Sequence, residues 1–195
     1  MQMKWPGNLW RSISIHRIAI FSTAMITLAL VGAGVGGMKA LSTTTFCTSC
    51  HSMSYPYDEL QKSNHYGAMG VDPECGDCHV PPGFENLHLA IATHVVDGGR
   101  ELYLELTGDY SDINKFNQRR LEMAHYARMN LKRWDSITCR SCHKNPRPFG
   151  EAKKEHEKMV TQGATCIDCH QNLVHKEVEE TDLDASLAQG EMVLK

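Results

Sequence analysis

The sequence predicts a mainly α protein: a single N-terminal transmembrane helix, then a compact, loop-rich domain built as two similar halves. Three observations predict it. Ile18 to Met38 is a run of 21 residues without a formal charge. All eight cysteines fall into four copies of one five-residue pattern, Cys-x-x-Cys-His. The four copies come as two pairs, and the spacing inside each pair is nearly the same.

The apolar run is the first element. At about 1.5 Å of rise per residue it spans about 30 Å, the hydrocarbon thickness of a bilayer. Lys4, Arg11 and Arg17 precede it. The positive-inside rule therefore leaves residues 1–17 cytoplasmic and, with residues 18–41 as the span, carries the rest of the chain across the membrane. A cleaved signal peptide is the competing reading, but its apolar core usually runs only about 7–15 residues. Gly32 and Gly36 form a small-xxx-small pair, which permits close helix packing or a homodimer, although membranes often simply tolerate such glycines. Cys47 follows the anchor so closely that the first motif is expected beside the outer membrane boundary.

The motifs are Cys47 to His51, Cys75 to His79, Cys139 to His143 and Cys166 to His170. Cys-x-x-Cys-His is the attachment pattern of c-type haem: two thiols add across the porphyrin vinyls, and the adjacent imidazole reaches the iron. A zinc site has no use for a histidine after every second cysteine. A disulfide framework would show more varied spacings. Four covalent haems, with Cys47, Cys50, Cys75, Cys78, Cys139, Cys142, Cys166 and Cys169 as attachment points, are therefore expected. Covalent haem attachment also points outside the cytoplasm.

Length and charge agree. The 195 residues leave room for one domain plus an appendage, aromatics are only 7%, and net charge is −3. So small a domain is thin on ordinary core, and porphyrins would supply much of it. The charge argues against a nucleic-acid binder.

The haem domain is expected over residues 42–176, with dihaem halves at 46–82 and 138–176. Each half holds a motif, a lone histidine, then a second motif separated from that histidine by nine residues. Lys62-Ser-Asn-His65 matches Lys153-Lys-Glu-His156, and Tyr55 to Glu59 matches Arg147 to Glu151. An internal duplication explains this. Six-coordinate haem needs a second axial ligand, and His65, His156 and His175 are the candidates. His88, His94 and His125 lack repeat support and read as surface or structural. Met53, two positions past His51, stands where the second half has Asn145; it is a haem ligand or a packing residue.

Between the halves, Phe84 to Leu106 and Ile113 to Trp134 read as two helices. The second carries Lys115, Arg119, Arg120, Arg128, Lys132 and Arg133. A solvated face near haem propionates, or a docking or headgroup surface, would each explain that charge. The tail, 177–195, is acidic, lacks aromatics and reads as mobile.

Taken together the chain resembles the NapC/NirT family of membrane-anchored tetrahaem cytochromes c. The carrying stretches are the anchor, Phe46-Cys-Thr-Ser-Cys-His-Ser-Met53, Cys75-Gly-Asp-Cys-His-Val-Pro81, Arg100-Glu-Leu-Tyr103 and Cys166-Ile-Asp-Cys-His170 with Val174-His175. The basic helix before Cys139 is similar to the NapC branch, which feeds periplasmic nitrate reductase, rather than to NrfH. The resemblance implies a quinol dehydrogenase of the bacterial inner membrane that passes electrons to a periplasmic reductase. It implies Met53 as iron ligand of the first haem and Glu101 as proton acceptor for quinol or menaquinol. It also implies that His65, His156 and His175 complete bis-histidine haems with His79, His143 and His170, with His65 and His175 crossing between halves. Where relatives carry lysines before the acidic residue, Leu87 to Gly99 has none. His94 or Arg100 is the expected substitute in holding the quinone. A terminal reductase would need an open haem with catalytic donors. A tethered electron store or redox sensor would need no quinol site.

Overall fold

A computed structural model describes residues 7–192 except 109, 111, 145–149 and 151, without the side chains of 7–14 and 160. Asn145, Arg147 to Phe149 and Glu151 of the sequence repeat therefore lie outside the described residues. The chain divides into two units, Met1–Ala40 and Leu41–Lys195.

The first unit is one helix, α1 (Gly7–Leu41). Its segment Ile15–Leu41 has a mean hydropathy of 2.1 over an 18-residue window, and none of that window is buried by protein. Ile18, Phe21, Leu28 and Leu30 all face outward. A helix that is apolar all round and this long can cross a membrane. Ser22 satisfies its hydroxyl internally by donating to the Ala19 carbonyl at 3.0 Å. Lys39 lies in the last turn, where a cation complements the helix dipole.

In the second unit the described residues form helices and turns without strands. The helices are α2 (Thr44–Cys47), α3 (Ser54–Leu60), α4 (Cys75–His79), α5 (Leu87–Ala92), α6 (Gly98–Thr107), α7 (Ile113–Gln118), α8 (Arg120–Arg133), α9 (Ile137–Cys142), α10 (Ala152–Thr161), α11 (Cys166–Cys169) and α12 (Leu183–Gln189).

The two expected connecting helices both depart from regularity. The first begins as a 3₁₀ turn at Phe84–Asn86 and widens to a π turn over Thr93–Asp97 between α5 and α6. There two successive side chains bond to backbone carbonyls four residues back, Thr93 to Leu89 at 2.9 Å and His94 to Ala90 at 2.8 Å. Side chains competing for ladder carbonyls loosen a helix at that point. The second breaks at Arg119, whose φ of −102° and ψ of 2° separate α7 from α8. Its guanidinium turns aside to Glu122, at 3.0 and 2.6 Å, and to the Tyr110 hydroxyl.

Lys115 and Arg133 of the basic run are exposed, but its other members are not a solvated face. Arg120, Arg128 and Lys132 are buried. Arg120 clamps the Glu59 carboxylate through two bonds of 2.8 and 2.9 Å. Arg128 donates to the Glu179 carbonyl and to Asn172, both at 2.8 Å. Lys132 lies 2.7 Å from both Asp168 and Asp184. These cations fasten the helix to α3, α11 and the C-terminal segment.

Within the segment expected as an acidic tail the structure forms α12. Asp182 caps α12 by accepting the Ala185 N–H at 2.9 Å. Leu183, 2% exposed, packs with Met129 and Ile167. Asp182 thus serves as a cap and Asp184 as an ion-pair partner. Beyond α8, Asp135 and Ser136 both take left-handed φ, 52° and 50°, at about 1–2 kcal/mol each for non-glycine residues. Arg140 holds Asp135 through its carbonyl and carboxylate, both at 2.8 Å. The buried Ser136 hydroxyl accepts the Ile167 N–H at 3.2 Å. This turn sets the third motif against the fourth.

Candidate functional site: four linked motifs and three imidazole pairs

Every motif starts or ends a short helix, and helix capping explains two of them in detail. In Cys75-Gly-Asp-Cys-His the Asp77 carboxylate accepts the Glu74 N–H at 2.8 Å. In Cys166-Ile-Asp-Cys-His the Asp168 carboxylate accepts the Thr165 N–H at 2.7 Å. Both are capping boxes, in which an acidic third residue stabilises the turn that presents the two cysteines.

The motifs adjoin in chain order. Cys47 and Cys75 lie within hydrogen-bonding reach of each other. Thr44 ties the first two motifs together: its N–H donates to Glu74 at 3.1 Å, and its hydroxyl accepts the Cys75 N–H at 3.1 Å. Gly76 is required there, since a Cβ would meet the Ser42 carbonyl oxygen at 2.3 Å. Helix α4 packs on α9, which brings Cys78 near Cys139 and Cys142. Cys139 in turn lies near Cys166.

The six remaining candidate histidines form three pairs. Ring centroids are 6.4 Å apart for His65 and His143, 6.1 Å for His79 and His175, and 6.0 Å for His156 and His170. Two metal–nitrogen bonds of about 2.0 Å, plus about 1.1 Å from each nitrogen to its ring centre, put two imidazoles on opposite sides of one ion about 6.2 Å apart. The pairs therefore fit one iron each. Free thiols stand beside every motif histidine, and among the described residues of the domain the buried apolar ones are few: Leu60, Ala90, Tyr110, Phe116, Met129, Ile167 and Leu183. Both facts suit porphyrins as part of the core.

The surroundings of the paired rings match this use. His156 Nδ1 lies 2.9 Å from the Ala152 carbonyl, an arrangement that leaves Nε2 free to ligate. His175 Nδ1 faces the Glu59 carboxylate at 3.7 Å, and the ring also hydrogen-bonds the Pro56 carbonyl. Desolvation, then the adjacent His175, push the His79 imidazole down to about 4 although the residue keeps solvent-accessible surface. Desolvation lowers His175 as well. A neutral ring is the form that ligates metals. Glu59 was not singled out from the sequence; its match to Glu151 in the repeat was the available signal.

The first motif differs. His51 meets the edge of Tyr55, with centroids 5.7 Å apart, and the Tyr55 hydroxyl lies 3.5 Å from His51 Nε2. Between His51 and Met53, Ser52 is buried and gripped by Glu105, which accepts its hydroxyl at 2.5 Å and its N–H at 3.4 Å. Glu105 is a second residue that sequence reasoning missed. It lies one helical turn beyond Glu101 on α6, and that shared face was the signal. Glu101 pairs with Arg100 at 2.5 Å, and Arg100 extends to Glu122 at 3.4 Å and over the Tyr126 ring. Desolvation raises the Glu101 carboxyl, and Arg100 only partly offsets it. His94 has both ring nitrogens engaged, with the Ala90 carbonyl and with the Ser42 hydroxyl at 3.2 Å. His125 is fully buried on α8, 3.0 Å from the Thr181 hydroxyl, and His88 is exposed.

Comparison with known proteins adds to the geometry. The family model for the NapC/NirT cytochrome c family, N-terminal region, matches residues 11–180. A protein named probable tetraheme cytochrome c-type from Nitrosomonas europaea is 66% identical over 177 residues, covering 90% of this chain and 76% of that one. Cytochrome c-type protein NapC from Haemophilus influenzae is 38% identical over 170 residues, covering 84% of this chain and 82% of its own. Cytochrome c-type protein TorC from Escherichia coli is 31% identical over 181 residues, covering 89% of this chain but only 44% of the longer TorC. No solved structure matches. Four attachment motifs, three imidazole pairs and a match over most of the sequence lead to one conclusion: the chain belongs to the NapC/NirT family, as a tetrahaem c-type electron-transfer cytochrome.

Proposed function

We propose that this cytochrome is a quinol dehydrogenase subunit, anchored by one span in the bacterial inner membrane with its haem domain in the periplasm. It oxidises quinol beside the first motif and passes electrons singly through four c-type haems to a periplasmic reductase, nitrate reductase first, in anaerobic respiration. The observation that carries the reading is an asymmetry among the motifs. Three motif histidines face a second imidazole, whereas His51, among the described residues, faces Tyr55. The odd site adjoins the helix with the raised carboxyl.

Bound haem supplies one-electron transfer at each of the four sites. When haem is bound, the eight cysteines would hold the porphyrins as thioethers. His65 with His143, His175 with His79, and His156 with His170 would hold three of the irons. Met53 would hold the first, and the Glu105 grip on Ser52 fixes the turn that presents it. Quinol loses two protons with its two electrons. Glu101 accepts one of them and the other passes to solvent: desolvation raises the proton affinity of the carboxylate, and Arg100 partly offsets it. Likeness to TorC as well as NapC keeps a donor to nitrite or trimethylamine N-oxide reductase as the alternative.

Rapid reduction of the full-length holoprotein in detergent by a menaquinol analogue tests the reading, with spin states read by electron paramagnetic resonance on the same sample. Fast, inhibitor-sensitive reduction with one centre spectroscopically unlike the other three is expected. Four alike low-spin centres and no reduction by quinol would leave a tethered electron store or sensor.

A further inference from the structure

The segment from Phe84 to Thr107 has two unlike flanks. One is fastened inward. His94 bonds Ser42, Asp97 accepts the Tyr126 hydroxyl at 2.6 Å and the Asn130 amide at 3.1 Å, Arg100 reaches Glu122, and Glu105 holds Ser52. The other flank is apolar and open. Ile91, Val95, Leu102 and Leu106 recur at helical steps with Val96 and Tyr103 alongside, and Val95 is 69%, Tyr103 66% and Leu106 76% exposed. So many large apolar side chains on one face of a short helical stretch exceed the scattered exposure of a water-facing surface.

The bond between His94 and Ser42 says what covers this face. Ser42 is the residue directly after α1, which ends at Leu41. Consecutive Cα atoms are about 3.8 Å apart, so the middle of the segment is pinned within a few ångströms of the point where the chain leaves its membrane span. We infer that the Ile91–Leu106 face lies in the membrane–water interface, with Val95, Val96, Leu102 and Leu106 among the upper acyl chains. Tyr103 stands at headgroup level, where an amphipathic ring is favoured. The occupant is the lipid surface itself, and the inference rests only on α1 spanning the membrane. Its consequence is positional: the opposite flank carries Glu105 on the first motif, so the helix holds that motif at the interface from which a lipid-soluble reductant arrives.

The test uses the full-length holoprotein in phosphatidylcholine nanodiscs doped with a lipid bearing a photoreactive diazirine in its acyl chain. After irradiation, tryptic peptides are mapped by mass spectrometry. Peptide Glu101–Lys115 lacks cysteine and so carries no haem, which makes it directly readable. Lipid adducts on Leu102, Tyr103 or Leu106 are expected, with none on Leu121–Arg128. Leu102→Glu with Leu106→Glu should abolish them while labelling of α1 persists. Labelling of α1 with none on Glu101–Lys115 in the native protein overturns the inference, because the face is then in water. So does a copy-to-copy crosslink within Glu101–Lys115 in protein carrying photoreactive leucine at 102 and 106, in place of lipid adducts, because a second copy of the chain then covers the face. Absence of adducts from α1 as well refutes the anchor on which the inference stands, a separate failure.

Discussion

Replacing Glu59 with alanine should destabilise the domain substantially. The carboxylate accepts two bonds from the Arg120 guanidinium, 2.8 and 2.9 Å long, and the Lys176 N–H at 3.0 Å, and it faces His175 at 3.7 Å. The side chains of Arg120 and Glu59 are 8% and 21% exposed. Removing one partner of a buried pair leaves the other charge uncompensated, at about 3–5 kcal/mol, and the residual exposure of Glu59 selects the lower end, about 3 kcal/mol. That is about two orders of magnitude in the folding equilibrium. Guanidinium unfolding of the holoprotein in detergent, followed by Soret absorbance, reads the loss as a lowered midpoint. Adding Arg120→Met to Glu59→Ala should recover part of it, since an apolar replacement of both partners removes the orphaned charge. A loss below about 1 kcal/mol would refute the reasoning, because the pair would then behave as a surface bridge. The spectrum of the centre held by His79 and His175 should shift in the same variant, since Glu59 orients His175.

Three further outcomes are expected. His156→Ala should convert one low-spin centre to high spin with four haems still attached; an unchanged spin count by electron paramagnetic resonance would detach His156 from His170. Met53→Ala or Glu101→Gln should slow quinol oxidation without loss of haem. For Glu101 the pH profile is the sharper readout: its raised carboxyl accepts protons only when ionised, so the rate should fall as pH drops through a value above that of an ordinary glutamate. In Glu101→Gln that acid limb should vanish from stopped-flow profiles. Leu183→Ala should lower the unfolding midpoint by about 2–4 kcal/mol equivalent, whereas a mobile tail would leave the midpoint where it was.

Much of the attachment chemistry was legible because it is local. A thioether pair and its adjacent imidazole need only five consecutive residues, and a membrane span needs only an uninterrupted apolar run. Asp77 and Asp168 could also have been read as caps, since a capping box is closed within four positions. The connecting helices were legible in place and extent but not in form. The widening at Thr93 and His94 depends on which carbonyls their side chains choose, and the break at Arg119 depends on Glu122 and Tyr110.

The sequence by itself determined the family, the eight attachment cysteines, the four motif histidines and the three further histidines that meet them. The resemblance implied that His65 and His175 cross between halves; tertiary structure decided which ring each one meets. The two halves repeat their spacing, yet His156 meets His170 of its own half, whereas His65 meets His143 across the halves and His79 meets His175. Spacing along the chain cannot choose among imidazoles that come together only when both halves have folded. The same holds for the buried Arg120, Arg128 and Lys132, for Glu105 on Ser52, 53 residues away, and for α12 on α8. A charged or acidic run reads as solvated until folding brings up a counter-charge from a distant segment, because burial and pairing are properties of the packed chain and not of its local composition.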